Sequence, residues 1–356
     1  MGEQRVILVT GVSETIGIRV AEALMVKPDV HVIGLDSTPP EEVIKGLDFI
    51  QADVRNSLLG DLFKSESVDT VCHLKFAESD KPSEASFDLN VMGTMKVFSA
   101  CTEAGVRKVV LKSSTAVYGA KPDNSAFISE DHPLAGSRTW GTIRDLVEIE
   151  SFCNGFVRQS PEMALTILRF ASILGPTIDS PMTRYLKERV TPVLMGFDPM
   201  MQIIHESDAV GAIVHAVMSD VSGVFNVGDE GNLPLSKLIR LAGKFPVPVL
   251  HWFVYWGHDM VGRSSGYTPI EPDYLRYAWV GDLRKMKEVL LFEPHYTSAE
   301  AMREFAGSRR VSRYIPEGGT LAYDEDRLRD TIERRRRIRE REAATWGKEV
   351  KGESNE

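Results

Sequence analysis

The first residues of chemical interest form a turn suited to binding phosphate. A β-branched run, Arg5–Thr10, leads into TGVSETIG and then into residues with helical spacing. A glycine at the strand exit permits a tight turn, and one in the helix allows close packing on the sheet. The helix N-terminus presents unpaired backbone N–H groups to a pyrophosphate. The predicted cofactor-binding residues of this turn are Gly11, Ser13, Glu14, Thr15, Ile16 and Gly17.

A carboxylate ends the second predicted strand. Asp36 closes the run HVIGL and lies 19 residues after Gly17. A carboxylate in this position accepts hydrogen bonds from the adenosine ribose hydroxyls, and its charge repels a 2′-phosphate. The sequence therefore predicts NAD rather than NADP as the cofactor.

Glu14 departs from the usual glycine-rich turn. A three-glycine loop has its middle glycine at this position, where the backbone approaches the pyrophosphate. A carboxylate close to two phosphates is repulsive. Lys75 follows a neighbouring predicted strand, and its ammonium could pair with a cofactor phosphate or with Glu14. Pairing with Glu14 would offset the repulsion.

The elements that position these residues alternate between strands and helices. This alternation implies right-handed βαβ crossovers and a parallel sheet covered on both faces. The predicted fold class is α/β, a Rossmann-type doubly wound parallel sheet with a smaller, mostly C-terminal substrate domain. The predicted strands are Arg5–Thr10, His31–Leu35, Asp48–Gln51, Asp69–Leu74, Lys108–Lys112 and Leu165–Arg169, and the longer helices are Ile16–Met25, Ala85–Ala104 and Thr142–Val157.

The pattern loosens after about residue 175, where proline and glycine become frequent and the elements become shorter. Two returns to the sheet are predicted, a helix at Ser207–Val217 and a strand at Gly223–Val227. The predicted domains are a dinucleotide-binding domain over 1–175 with returns at about 203–228, a substrate domain over 176–202 and 229–316, and a charged helical or disordered tail over 317–356.

Composition narrows the class of protein. A net charge of -9 over 356 residues argues against a nucleic-acid binder. The three cysteines lack CxxC spacing, and the eight histidines show no metal-binding spacing, so we expect no metal. No signal peptide opens the chain, and the longest apolar run, Phe245–Gly257, falls short of the ~20 residues that span a bilayer. We therefore expect a cytoplasmic protein without a transmembrane segment.

Several segments, taken in order, resemble the extended short-chain dehydrogenase/reductase family. They are similar to its NAD-dependent epimerase/dehydratase group, which includes UDP-galactose 4-epimerase, over residues 5 to about 310. The matching segments are TGVSETIG, QADVR, HLKF, NVMGT, SSTAVYG and LRF with a following GP. The resemblance implies further cofactor-binding residues, namely Asp53 against the adenine, Val54, Leu74, Lys75, Phe76, Asn90 and Ser113.

The resemblance also implies a Tyr-x-x-x-Lys pair for proton transfer and ribose binding, with Ser114 bonding the substrate oxygen. The corresponding positions hold Trp140 and Arg144. An indole N–H donates a hydrogen bond but does not ionise usefully, so Trp140 cannot serve as an acid or base. Arg144 keeps the positive charge and can bind a ribose hydroxyl. Tyr118 is the nearest group by sequence that could stand in for the missing tyrosine.

The expected substrate site also departs from the family pattern. Relatives acting on nucleotide sugars have an arginine that clasps the diphosphate, and Met201 occupies that place here. Together with the aromatic run Trp252–Trp256, this favours a small-molecule substrate more apolar than a nucleotide sugar, although plain domain packing also explains the run.

Three functions remain open from the sequence. The first is an NAD-dependent epimerase, dehydratase or dehydrogenase that acts on a hydroxyl-bearing carbon. The second is an NAD-binding protein without turnover, either a sensor or a partner subunit. The third is a scaffold that binds no nucleotide, which Asp36 and Asp53 argue against. The resemblance further implies a homodimer formed through the helices at Ala85–Ala104 and Thr142–Val157.

Overall fold

Seven runs rich in buried apolar residues form one parallel sheet, whose edge strands are its least buried. The computed structural model describes residues 4–79, 81–188, 190–250, 270–313, 329 and 331–337. The strands of this sheet are β1 (Arg5–Thr10), β2 (Val30–Asp36), β3 (Asp48–Gln51), β4 (Thr70–His73), β5 (Lys108–Ser114), β6 (Ala164–Phe170) and β11 (Gly223–Val227). Their order across the sheet is β11-β6-β5-β4-β1-β2-β3. The predicted doubly wound α/β fold is confirmed.

Helices cover both faces of this sheet. On one face, Val20 and Leu24 of the first helix and Ile213 of the seventh share an apolar core with β1. On the other face, Phe98 and Ile149 belong to a second core against β4, β5 and β6. The helices are α1 (Thr15–Met25), α2 (Leu59–Ser65), α3 (Glu84–Phe87), α4 (Gly93–Ala104), α5 (Gly141–Gln159), α6 (Pro181–Lys187), α7 (Glu206–Met218), α8 (Leu235–Leu241), α9 (Arg284–Glu288) and α10 (Ser298–Arg313).

The helix predicted over Ala85–Ala104 is interrupted by a π-helical turn at Asp88–Met92. Such turns are often found at functional sites. The Asn90 amide bonds both backbone groups of Ala77 and donates to Asp145 Oδ2 at 2.9 Å. These partners lie far from Asn90 in sequence, so helical periodicity alone could not predict the interruption.

The second half of the chain adds shorter elements around a third apolar core. Both predicted returns are confirmed, because α7 packs beside α1 and β11 pairs with β6. The division into the predicted dinucleotide and substrate domains stays a prediction. The short strands are β7 (Ser172–Leu174), β8 (Thr191–Leu194), β9 (Met200–Met201), β10 (Ile203–His205), β12 (Leu233–Pro234) and β13 (Pro246–Val249).

Some sequence features fall beyond the described part of the chain. The aromatic run Trp252–Trp256 lies outside it, as does most of the tail, of which residues 329 and 331–337 are helical. Within the described residues, no helix combines the length and apolar character needed to span a membrane. In the same residues, no three His, Cys, Asp or Glu side chains group to hold a metal ion.

Candidate functional site

The turn between β1 and α1 requires glycine at two positions. Gly11 has φ +73, and a Cβ there would lie 2.8 Å from the Lys75 backbone nitrogen. A Cβ on Gly17 would lie 2.0 Å from the Gly11 carbonyl oxygen, which accepts a bond from the Glu14 N–H. These contacts hold the start of α1 against the end of β1, as the sequence predicts for a phosphate-binding turn.

A lysine crosses this turn and joins two carboxylates. Lys75 Nζ lies 3.0 Å from Asp36 Oδ1 and 3.2 Å from Glu14 Oε1, so the predicted pairing with Glu14 is confirmed. The Asp36 side chain is fully buried, and its other oxygen accepts a bond from the Ser13 N–H. The charges of the two acids are therefore partly compensated before any ligand arrives.

Burial and ion pairing together set the pKa values of Glu14 and Lys75. Burial raises the pKa of Glu14 above its ordinary value, although the positive charges of Lys112 and Lys75 oppose the shift. For Lys75, burial alone would lower the pKa, but the bonds to Asp36 and Glu14 outweigh it and the pKa is raised. Lys75 therefore stays charged, which suits a group that separates two acids.

A cleft of about 690 Å³ runs from this turn towards the predicted catalytic residues. Its walls combine the phosphate loop, the end of β5 and the start of α5. The predicted site residues that line it are Ser13, Glu14, Thr15, Ile16, Phe76, Ser113, Ser114 and Trp140. Those not among its lining residues are Gly11, Gly17, Asp36, Asp53, Val54, Leu74, Lys75, Asn90, Tyr118 and Arg144.

Trp140 lies in the cleft wall directly before α5. Its side chain is buried among apolar neighbours, including Ile143 one turn later. The next residue, Gly141, fits against the Ser79 and Lys81 carbonyl oxygens, where a Cβ would approach to 2.7 and 2.5 Å. This close packing fixes the start of α5, and both Trp140 and Ser114 line the cleft.

The Arg144 side chain is not placed to bind a ribose in the cleft, the role that the sequence predicts for it. Its guanidinium donates to Asp145 Oδ1 at 2.6 Å and to the Ser83 carbonyl at 3.2 Å, and it stacks over the Phe87 ring. Arg144 is absent from the cleft lining. The guanidinium is held by Asp145 and by Phe87 of α3. Matching residues position by position to a family motif could not reveal this placement.

Tyr118 is not placed to replace the missing tyrosine. It is fully buried, and its hydroxyl donates to Asn226 Oδ1 at 2.6 Å and accepts from Arg169 Nη1 at 2.7 Å. Burial raises its pKa to about 12. The hydroxyl is thus occupied and poorly acidic, which argues against the proton-transfer role considered from the sequence.

Ser114 and Lys112 share one face of β5, because side chains alternate along a strand. Both line the cleft. Ser114 Oγ accepts a bond from the Ala116 N–H, which leaves its hydroxyl proton available for donation. The sequence reasoning missed Lys112, although its spacing of two from Ser114 was a usable signal.

Comparison with known proteins agrees with this geometry. The model of the NAD dependent epimerase/dehydratase family matches residues 7–228. The chain belongs to this family. An uncharacterized protein from Mycobacterium tuberculosis strain H37Rv is 35% identical over 323 residues, covering 87% of this chain and 86% of that protein. UDP-glucose 4-epimerase 3 from Oryza sativa subsp. japonica is 30% identical over 134 residues, 36% of this chain and 35% of that protein.

Solved structures of family members share the fold. UDP-glucose 4-epimerase from Thermotoga maritima, crystallised with UDP-glucose, has a TM-score of 0.68 at 20% identity, with 87% of this chain and 100% of that chain covered. UDP-glucuronic acid 4-epimerase from Bacillus cereus, in complex with NAD, has a TM-score of 0.67 at 19% identity, with the same coverage.

The remaining residues implied by the family resemblance do not line the cleft. Asp53 is held by Arg55, whose hydrogen bond lowers the Asp53 pKa. Val54 and Leu74 are buried in the two cores. Asn90 is occupied by its bonds at the π-helical turn. These four residues have contacts with the protein itself, and no direct ligand contact is assigned to them.

The far half of the cleft, as we call the lining contributed by residues 140–146, 172–184 and 270–279, is largely apolar. Met201, at the position where the family resemblance implies an arginine, is buried in the third core and does not line the cleft. Arg184 does line it but is paired with Glu78 and Asp179 at 2.7 and 2.9 Å. The apolar lining of this half comprises Trp140, Ile143, Leu146, Ile173, Ile178, Pro181, Met182, Ile270, Tyr274 and Trp279.

Proposed function

We propose that this protein is an NAD-dependent oxidoreductase of the epimerase/dehydratase type that acts on a hydroxyl-bearing carbon through a non-standard active site. The observation that carries the proposal is the single cleft joining the phosphate loop to Ser114 and Trp140. Family membership gives the reaction class. The site is non-standard because Trp140 cannot exchange a proton and Arg144 is bonded outside the cleft.

The residues present fit NAD. Gly11 adopts a left-handed conformation that leaves no room for a Cβ, and the first turn of α1 opens onto the cleft. Such a helix N-terminus suits a pyrophosphate. Asp36 ends β2, the position at which a carboxylate meets the adenosine ribose. When bound, NAD supplies the acceptor or donor for a hydride.

Lys75 should strengthen NAD binding by compensating the two acids at the turn. In Lys75→Ala, Glu14 and Asp36 lose their shared cation, so their repulsion of the pyrophosphate should lower NAD affinity about tenfold. Isothermal titration of purified protein with NAD measures the change. Lys75→Arg keeps the charge and is the control. Unchanged affinity in Lys75→Ala would show that the lysine has no part in binding.

The substrate that fits the far half of the cleft is a neutral hydroxyl compound more apolar than a nucleotide sugar. The described lining of the whole cleft contains five carboxylates but only two cations. In the far half, the acids Asp179 and Glu271 outnumber the one cation, Arg184, which already bonds Asp179 and Glu78. A diphosphate would meet net negative charge there, whereas an aryl or alicyclic secondary alcohol would bury its carbon skeleton against apolar side chains.

Turnover tests the proposed reaction. The protein is incubated with NAD and a panel of neutral aryl and alicyclic secondary alcohols, with UDP-glucose for comparison. NADH absorbance detects net oxidation, and chromatography of the products detects epimerisation or dehydration, in which the hydride returns to the substrate and no NADH accumulates. Ser114 should bond the reacting oxygen, so Ser114→Ala should lower kcat about 100-fold while NAD affinity is kept. Equal rates in wild type and Ser114→Ala would remove Ser114 from the mechanism.

A second function, NAD binding without turnover, is favoured by one specific arrangement. Arg144 is bonded to Asp145, and Tyr118 is buried, so the cleft holds neither group of the expected catalytic pair. The double variant Trp140→Tyr with Arg144→Lys distinguishes the two functions. Turnover in wild type supports the oxidoreductase, whereas turnover only in the double variant supports a protein that holds NAD without using it.

We also propose a homodimer, as family resemblance implies, built on α4 and α5. These helices pack together through Phe98, Phe152 and Phe156, and Val157 is exposed on α5. Exposed apolar residues on a packed helix pair suit a self-complementary interface. Sedimentation equilibrium of the full chain distinguishes a dimer from a monomer. The cytoplasmic location stays a prediction.

A further inference from the structure

We propose that Lys112, and not Arg144, is the cation that binds NAD beside Ser114. This inference rests on the proposed function, because it assigns the residue that holds the cofactor in the same cleft. A family member normally carries this charge on the helix after the cleft strand, where Arg144 lies. In this chain the charge that faces the cleft comes from β5 instead.

The placement of Lys112 follows from the alternation of β5. Lys112 and Ser114 are both half-buried and line the cleft. Between them, Ser113 also contributes to the cleft lining, but it is buried and its hydroxyl donates to Glu150 Oε1 at 2.5 Å. Residues two apart on a strand lie roughly 6.6 Å apart. The Lys112 ammonium is thus carried on the cleft face, one side-chain position before Ser114.

The phosphate loop lies within electrostatic reach of Lys112. The lysine charge acts on the Glu14 carboxyl and opposes the effect of burial on its pKa. Glu14 directly precedes α1, and Ser114 ends β5. Glu14, Lys112 and Ser114 also line the same cleft, so a dinucleotide bound there would share the cleft with the Lys112 side chain.

The other nearby cations already have protein partners. Lys75 bonds Asp36 and Glu14, and Arg184 bonds two acids in the far half of the cleft. Among the described residues, the Lys112 side chain has no hydrogen bond or ion pair, although its backbone pairs within the sheet. It is the lining cation left for an anionic or hydroxyl-rich ligand, and a charge-assisted hydrogen bond is the strong kind.

Titration of NAD into four proteins tests the assignment by affinity alone, independently of turnover. The proteins are wild type, Lys112→Met, Lys112→Arg and Arg144→Met. We expect NAD affinity to fall about tenfold in Lys112→Met, and to stay within about threefold of wild type in the other two variants. Lys112→Gln serves as a second neutral variant, and the melting temperature of each protein verifies its folding.

The pattern of affinities decides the outcome. Wild-type affinity in folded Lys112→Met and Lys112→Gln would overturn the inference while leaving the proposed function in place. A larger loss in Arg144→Met than in Lys112→Met would overturn it in favour of the family position. Absence of NAD binding by the wild type would overturn the proposed function itself. Selective loss in the two neutral Lys112 variants would support the assignment.

Discussion

Gly17→Ala should destabilise the fold and abolish tight NAD binding, because the added methyl group has nowhere to go. The new Cβ would lie 2.0 Å from the Gly11 carbonyl oxygen, 2.8 Å from its carbon and 2.9 Å from Val12 Cα. All three neighbours are backbone atoms, so relief requires α1 to move away from the phosphate loop. We expect a loss of about 3 kcal/mol in the free energy of unfolding.

The same movement should disturb the helix N-terminus on which a pyrophosphate binds. NAD affinity should therefore fall by at least about tenfold in Gly17→Ala, even under conditions in which the protein remains folded. Urea denaturation measures the first effect, and titration with NAD measures the second.

Gly155→Ala is the matched control. Gly155 lies within α5, is exposed, and has no atom within 4 Å of an added Cβ. Alanine should stabilise this helix by about 0.5–1 kcal/mol, since glycine loses more backbone entropy on folding. If Gly17→Ala unfolds at the same urea concentration as Gly155→Ala, the close contact at the turn does not constrain the fold.

Much of the fold could be predicted because its signals are local. The run Asp48–Gln51 and the run Gly223–Val227 become the two edge strands with the predicted bounds, since each is a short segment with apolar residues at its centre. The π-helical turn at Asp88–Met92 could not be predicted in this way. It depends on bonds from Asn90 to Ala77 and Asp145, which only the folded chain brings together.

In the candidate site too, the features that depend on local sequence could be predicted and those that depend on tertiary contacts could not. The phosphate turn and Asp36 were predictable, because a strand, a glycine turn and a helix follow one another directly. The direction of the Arg144 side chain was not, since it is decided by Asp145 and Phe87. Lys112 was accessible to sequence reasoning through its spacing from Ser114, but it lies inside a run that looks like an ordinary strand.

Breaking the buried pair of Arg169 and Glu150 should have the largest effect on stability. The two side chains are 3% and 1% exposed, and Arg169 Nη2 lies 2.6 Å from Glu150 Oε2. Glu150 also accepts the Ser113 hydroxyl bond, and Arg169 also donates to Tyr118. Removal of one partner leaves an uncompensated buried charge, which costs about 3–5 kcal/mol.

Arg169→Met should therefore lower the free energy of unfolding by about 3–5 kcal/mol, as measured by urea denaturation. Tyr118→Phe removes only a hydroxyl from the same network and should cost about 1 kcal/mol. Lys64→Met is the control for a lost ion pair, because Lys64 and Glu103 are about half exposed, and it should change stability by less than about 1 kcal/mol.

The Tyr118→Phe variant also distinguishes a structural role of Tyr118 from a role in the reaction. Tyr118 bonds Asn226 and Arg169 and does not line the cleft, so Tyr118→Phe should leave the rate of any turnover close to that of wild type. A loss of turnover as large as that expected for Ser114→Ala, in a folded Tyr118→Phe protein, would return the tyrosine to the reaction. A loss of less than about 1 kcal/mol in Arg169→Met would show that water or a neighbouring donor compensates Glu150.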